Sequence, residues 1–131
     1  MVNTFDLKLK KDGQDVVVKL RLTLGAQVAL KKKYNEPMNA TIFGAMVDAE
    51  KMAEVLSAAL TWNGNENPIK DGEELYDILV DNGYCGELDF GGVITNIAVA
   101  SGVLTKKQRD AVMNQAKSAQ NELLEEANAK N

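Results

Sequence analysis

Hydrophobic and polar residues alternate along Phe5-Asp6-Leu7-Lys8-Leu9 and again along Val16-Val17-Val18-Lys19-Leu20-Arg21-Leu22. A period of two sends every second side chain to one face, so each run predicts a strand. Asp12-Gly13 lies between them, and strands of period two joined by an Asp-Gly turn read as a hairpin, here over residues 4–22. From Thr23 onward the period lengthens and the chain reads as helix.

Thr23 is placed as N-cap of a helix running to about Tyr34, and Asn35-Glu36-Pro37 ends it, because a residue before proline is biased away from the α region. Asn39 is expected to cap the next helix, with Met38 packing on Phe43 as a hydrophobic staple. Asp48 opens the cleanest amphipathic run, in which Met52, Val55, Leu56, Ala59, Leu60 and Trp62 recur at helical spacing before Asn63-Gly64 stops it. The loop from Asn63 to Lys70 is polar and reads as exposed and tolerant of change. Asp71 with Glu74 predicts a capping box ahead of Leu75, Ile78 and Leu79, and Asn82-Gly83 ends that helix. Phe90, Val93, Ile94, Ile97 and Ala98 form a further stripe closed by Gly102, with Gly91 and Gly92 weakening the helix unless a neighbour packs closely there. Thr105 with Gln108 forms a last capping box. The expected fold is therefore α+β and mainly α: an N-terminal hairpin packed on a bundle of about five helices, residues 24–104, followed by a polar C-terminal helix, 105–128, all in one domain, 1–131. The hairpin is expected on the stripe of Val55, Leu56 and Leu60, since a lone hairpin is marginal in water.

Composition narrows the function. The chain has 131 residues, 45% hydrophobic and 26% charged, with a formal charge of −4. An acidic chain of this kind opposes a general nucleic-acid role. No stretch has signal-peptide character and none is long and apolar enough for a bilayer, so the expectation is no membrane association and a cytoplasmic protein. One cysteine, Cys85, allows no intramolecular disulfide. The absence of histidine removes the usual general base and the commonest metal ligand, leaving lysine, carboxylate or tyrosine chemistry open.

Several short motifs have plainer readings. Lys31-Lys32-Lys33 fans around a helix axis and complements the helix dipole better than it makes a basic patch. Asn63, Asn65 and Asn67 imitate the alternating ligands of a calcium loop, but Pro68 stands where glycine is required and no bidentate Glu follows. Asp89-Phe90-Gly91 spells a kinase signature without the rest of a kinase. Glu73, Glu74, Asp77 and Asp81 read as i,i+4 neighbours on a wet face. Cys85 reads as a half-buried packing residue, and Trp62 as core or core edge. No catalytic, cofactor-binding or metal-binding residue is assigned, no cofactor is expected, and the chain is read as a non-enzyme.

The C-terminal helix is charged against its own dipole. Lys106, Lys107 and Arg109 crowd its start and Glu122, Glu125 and Glu126 its end. Fraying is expected from Leu123 onward, together with weak self-association and a role for residues 118–131 in partner contact rather than folding.

A hairpin, then Thr23-Leu24-Gly25-Ala26 opening a helix that ends near Tyr34-Asn35-Glu36, then a helix ending Ala58-Ala59-Leu60-Thr61-Trp62, resembles the tail assembly chaperones of long-tailed bacteriophages. Glu73-Glu74-Leu75-Tyr76-Asp77-Ile78-Leu79 resembles the next helix of that family. The resemblance covers residues 5–83; Gly91-Gly92 and the polar helix after Thr105 depart from it. It implies a small non-enzymatic phage or prophage protein of the bacterial host cytoplasm. Such a protein coats the tape-measure protein, helps recruit tail-tube subunits and leaves before the tail is complete. It supplies no catalytic residues, and the partner-binding residues are unknown from sequence. The competing readings are a structural head–tail or tail component retained in the virion, and an enzyme using carboxylates or lysine.

Overall fold

The two alternating segments pair as an antiparallel hairpin, β1 (Phe5–Lys11) with β2 (Gln14–Leu20), in the register Leu7↔Val18 and Leu9↔Val16. Asp12 and Gly13 take φ of 52° and 79°, both positive, as a two-residue turn matched to strand twist requires. Leu7, Leu9, Val18 and Leu20 are buried, while Asp6, Lys8, Lys10, Asp15, Val17 and Lys19 face outward. The computed structural model describes residues 3–64 and 66–129, and among these the hairpin is followed by six helices. They are α1 (Leu24–Tyr34), α2 (Met38–Ala45), α3 (Ala49–Leu60), α4 (Gly72–Asp81), α5 (Gly86–Ala100) and α6 (Lys106–Ala129). The mainly helical α+β architecture is the one expected.

The inner face of β2 lies on α3, and β1 lies on α4 and α5, so Val18 and Leu20 share one core with Val55, Leu56, Leu60, Leu79 and Ile94. Full burial of side chains this size contributes about 1.5–3 kcal/mol each. Three local signals place the helices. Thr23 Oγ1 accepts from the Ala26 amide at 3.2 Å, and Asp48 Oδ1 accepts from the Lys51 amide at 3.0 Å. At α6 the Thr105 hydroxyl accepts from the Gln108 amide at 3.1 Å while Gln108 Oε1 accepts from the Thr105 amide at 2.8 Å, a complete capping box. Helix α5 ends in a Schellman pair, Val103 amide to Ala98 carbonyl and Gly102 amide to Val99 carbonyl, with Gly102 at φ 78°.

Other expectations are corrected. The N-cap of α2 is Pro37, not Asn39. Proline already holds the extended entry conformation, and its carbonyl accepts from both Ala40 and Thr41. Met38 thereby becomes the first helical residue and is no longer placed to staple against Phe43, which is 38% exposed. At α4, Asp71 caps the Glu73 amide at 2.7 Å, but Glu74 does not reach back; it pairs with Lys11 of β1 at 3.0 Å. Cys85 is exposed rather than half-buried, because it is the extended N-cap residue of α5 and stands outside the helix–helix contacts. Helix α6, by contrast, spans Lys106–Ala129, close to the expected 105–128.

Candidate functional site

Three places gather the residues that sequence reasoning singled out. The first is the junction of hairpin and helices. The Asn67 amide is buried: its Oδ1 accepts from Lys19 N–H at 3.0 Å and its Nδ2 donates to the carbonyls of Lys19 and Leu60 at 3.0 and 2.9 Å. Trp62 Nε1 donates to the same Lys19 carbonyl at 2.9 Å. On the opposite strand, Asn82 Oδ1 accepts from Lys10 N–H at 2.9 Å and its Nδ2 donates to Lys10 C=O at 3.0 Å. Each asparagine side chain thus acts as one peptide unit of a neighbouring strand, covering part of an otherwise open edge. The calcium-like run is therefore a structural clip: Asn67 is committed to backbone groups, Asn63 bonds Asn67 at 3.2 Å, and Asn65 lies outside the described residues. The loop is also less tolerant than its polarity suggests, because Asn67 and Ile69 are both buried.

The second place is the furrow between α3 and α4, about 580 Å³, lined by Glu50, Glu54, Asp71, Glu73 and Asp77 with Tyr76. Except for Glu54, which is half-buried and paired with Lys33 at 2.8 Å, these carboxylates are exposed. That is the wet face expected for Glu73 and Asp77, and a catalytic pair would need enclosure to split its affinities for protons. Among the described residues no three His, Cys, Asp or Glu side chains converge as a metal would require. Nearby, Asp89-Phe90-Gly91 resolves into three structural roles. Asp89 Oδ2 accepts from the Cys85 amide at 2.8 Å, Phe90 stacks on Tyr76 at 4.7 Å, and Gly91 leaves room for Met46, whose Cε would stand 2.7 Å from an added Cβ.

The turn from α1 to α2 holds the groups with perturbed proton affinity. Lys51 and Thr41 both donate to Glu36, which lowers its pKa, and Lys51 Nζ also lies 4.7 Å from the Tyr34 ring centroid. Burial raises the Tyr34 pKa, and the hydrogen bond from Lys33 to Glu54 raises that of Lys33. Lys31, Lys32 and Lys33 are all exposed at the helix terminus that favours cations, and Lys33 is paired there with Glu54.

The third place is apolar. Two hollows, about 570 and 440 Å³, meet at Phe43 of α2 and Val112 of α6, which line both. The first also takes in Met38 and Leu104, the second Met46, Ala116 and Ala119. Together they form one groove between α2 and α6. Helix α6 is anchored on α5 by Val112, Met113 and buried Ala116, and by Arg109 Nη1 donating to Asn96 Oδ1 at 2.8 Å. From Lys117 to Asn128 every residue is exposed, Leu123 at 67% and Leu124 at 55%. Val112, Ala116, Ala119, Leu123 and Ala127 share one helical stripe, so the anchoring face runs on past the body with nothing of its own chain to cover it. Sequence reasoning treated Phe43 as a staple partner and the end of α6 as a fraying segment. The usable signal was the persistence of that stripe through Leu123. No family model, curated protein or solved structure matches this chain.

Proposed function

We propose that this protein is a bacteriophage tail assembly chaperone without catalytic activity, which binds the tape-measure protein in the bacterial host cytoplasm and helps recruit tail-tube subunits. The observation that supports this reading best is the mainly apolar groove over α2 and α6. A chaperone for a long helical partner needs an apolar groove of this kind, read by residues at i, i+3 and i+4 of the occupant. The order of hairpin, capped α1, amphipathic α3 and acidic α4 is the pattern on which the resemblance rests. The absence of histidine and of phosphate or metal motifs is in keeping with a binding role.

Co-expression with the tape-measure protein of its own phage, followed by pull-down and by mass spectrometry of purified virions, tests the reading. Retention of the tape-measure protein with absence from mature particles is the expected result. Failure to retain it, with clean detection in virions, would replace this function with that of a structural tail or head–tail component.

A further inference from the structure

The charge pattern of α6 is unfavourable to the helix alone but favourable to a pair of such helices. Its first half, 106–117, carries Lys106, Lys107, Arg109 and Lys117 against Asp110 alone; its second, 118–129, carries Glu122, Glu125 and Glu126 and no cation. The halves are equal in length, each spanning about 18 Å at the helical rise. The first half borders a groove lined by Phe43, Met46 and Val112, with Glu87 the one charged residue of that lining, so the cations flank the groove rather than line it; the second half carries the exposed Leu123 and Leu124. An antiparallel second copy brings the acidic, leucine-bearing half of each helix beside the basic, groove-bearing half of the other. The same contact is then made twice, as a two-fold interface requires. A parallel pair would instead set basic start against basic start and acidic end against acidic end.

From this complementarity we infer that two copies of this chain associate through α6, antiparallel about an axis near residues 117–119, with Leu123 of each entering the Phe43–Val112 groove of the other. This goes beyond the proposed chaperone role and stands without it, since it concerns the free protein. Association through a single exposed helix should be weak and steeply dependent on concentration and salt.

Sedimentation equilibrium of the full chain, with reductant present because Cys85 is exposed, tests it through two charge-reversed variants. E122K/E125K/E126K leaves Asp110 as the one acidic residue of 106–129, and K106E/K107E/K117E leaves Arg109 as the one basic residue. Reversing the terminal charges also aligns them with the macrodipole, so α6 itself is not weakened and circular dichroism should show undiminished helix. Each variant alone should dimerise at least about tenfold more weakly than the parent, since one factor of ten is a difference of 1.4 kcal/mol. An equimolar mixture of the two should recover the dimer as a heterodimer. L123D should abolish association while leaving the melting temperature unchanged. A parent that stays monomeric at millimolar concentration in low salt, or charge variants that dimerise as well as the parent, would overturn the inference.

Discussion

The hairpin-and-helix body and the distal half of α6 are built on opposite terms. In the body, elements distant in sequence are tied by specific groups: Asn67 and Asn82 to the two strands, Ser101 Oγ accepting from the Leu22 amide at 2.8 Å, and Gly72 against α3. In the distal half of α6, from Lys117 to Asn128, every residue is exposed. The contrast teaches where stability resides and where apolar surface is left uncovered. Stability resides where burial is complete and polar groups are satisfied, and the exposed leucines of α6 gain burial only from another molecule.

The sharpest way to break this comparison is to attack the body at its tightest points. Gly72→Ala would place a Cβ 2.0 Å from the Ala53 carbonyl oxygen and 2.5 Å from the Ser57 amide nitrogen. Both are backbone atoms of α3 that cannot turn aside, so the helices must separate. Overpacking of this kind costs about 1–3 kcal/mol or more, and Leu56→Ala, at a fully buried site, about 2–5 kcal/mol. Denaturant melts of both variants check this; a loss under 1 kcal/mol would show that α3 is not a core element. Gly92→Ala is the paired control, because its added Cβ meets nothing within 4 Å. It should stabilise by about 0.5–1 kcal/mol through helix propensity.

Next in size is Asn67→Ala, which leaves the Lys19 N–H and the Leu60 carbonyl without the partner they have in the fold. Buried groups left unpaired cost about 1–3 kcal/mol, and thermal melts should show the loss. Asn67→Asp should cost more, since a carboxylate would face the carbonyls to which Nδ2 now donates. If both substitutions are neutral, the asparagine does not hold the hairpin.

Deleting residues 118–131 probes the other side of the comparison and should leave the melting temperature within about 2 °C, less than a 1 kcal/mol change would produce. A much larger fall would mean that the distal half belongs to the core. The smallest expected effect is electrostatic. The Glu36 carboxyl is held below its ordinary 4.5 by Lys51 and then Thr41, so it stabilises the fold above that pH and ceases to do so as pH falls through its lowered value. The melting-temperature difference between the parent and Glu36→Gln should therefore shrink toward zero on acidification; a constant difference would assign Glu36 no titrating role.

How much of this was legible in the chain follows from range. Thr23, Asp48 and the Thr105–Gln108 box announce their helices because a cap bonds within three residues of itself. The hairpin is equally local. Asn67 and Asn82 were invisible as clips because their partners lie 48 and 72 residues away, and Asn82 already had a complete local explanation as a helix stop. Gly72 gave no sign because tolerance for glycine says nothing of what approaches it. The groove escaped notice for a related reason: Phe43 and Val112 belong to unremarkable stripes of two helices, and only packing shows that they meet over space left open.

Hydrogen exchange followed residue by residue at two protein concentrations addresses the division between body and arm most directly. Amides of Leu20, Leu56 and Ile94 should exchange only through global unfolding at either concentration. Those of 118–129 should exchange fast in dilute solution and slow down as concentration rises. Protection of 118–129 equal to that of the body in dilute solution would contradict the account.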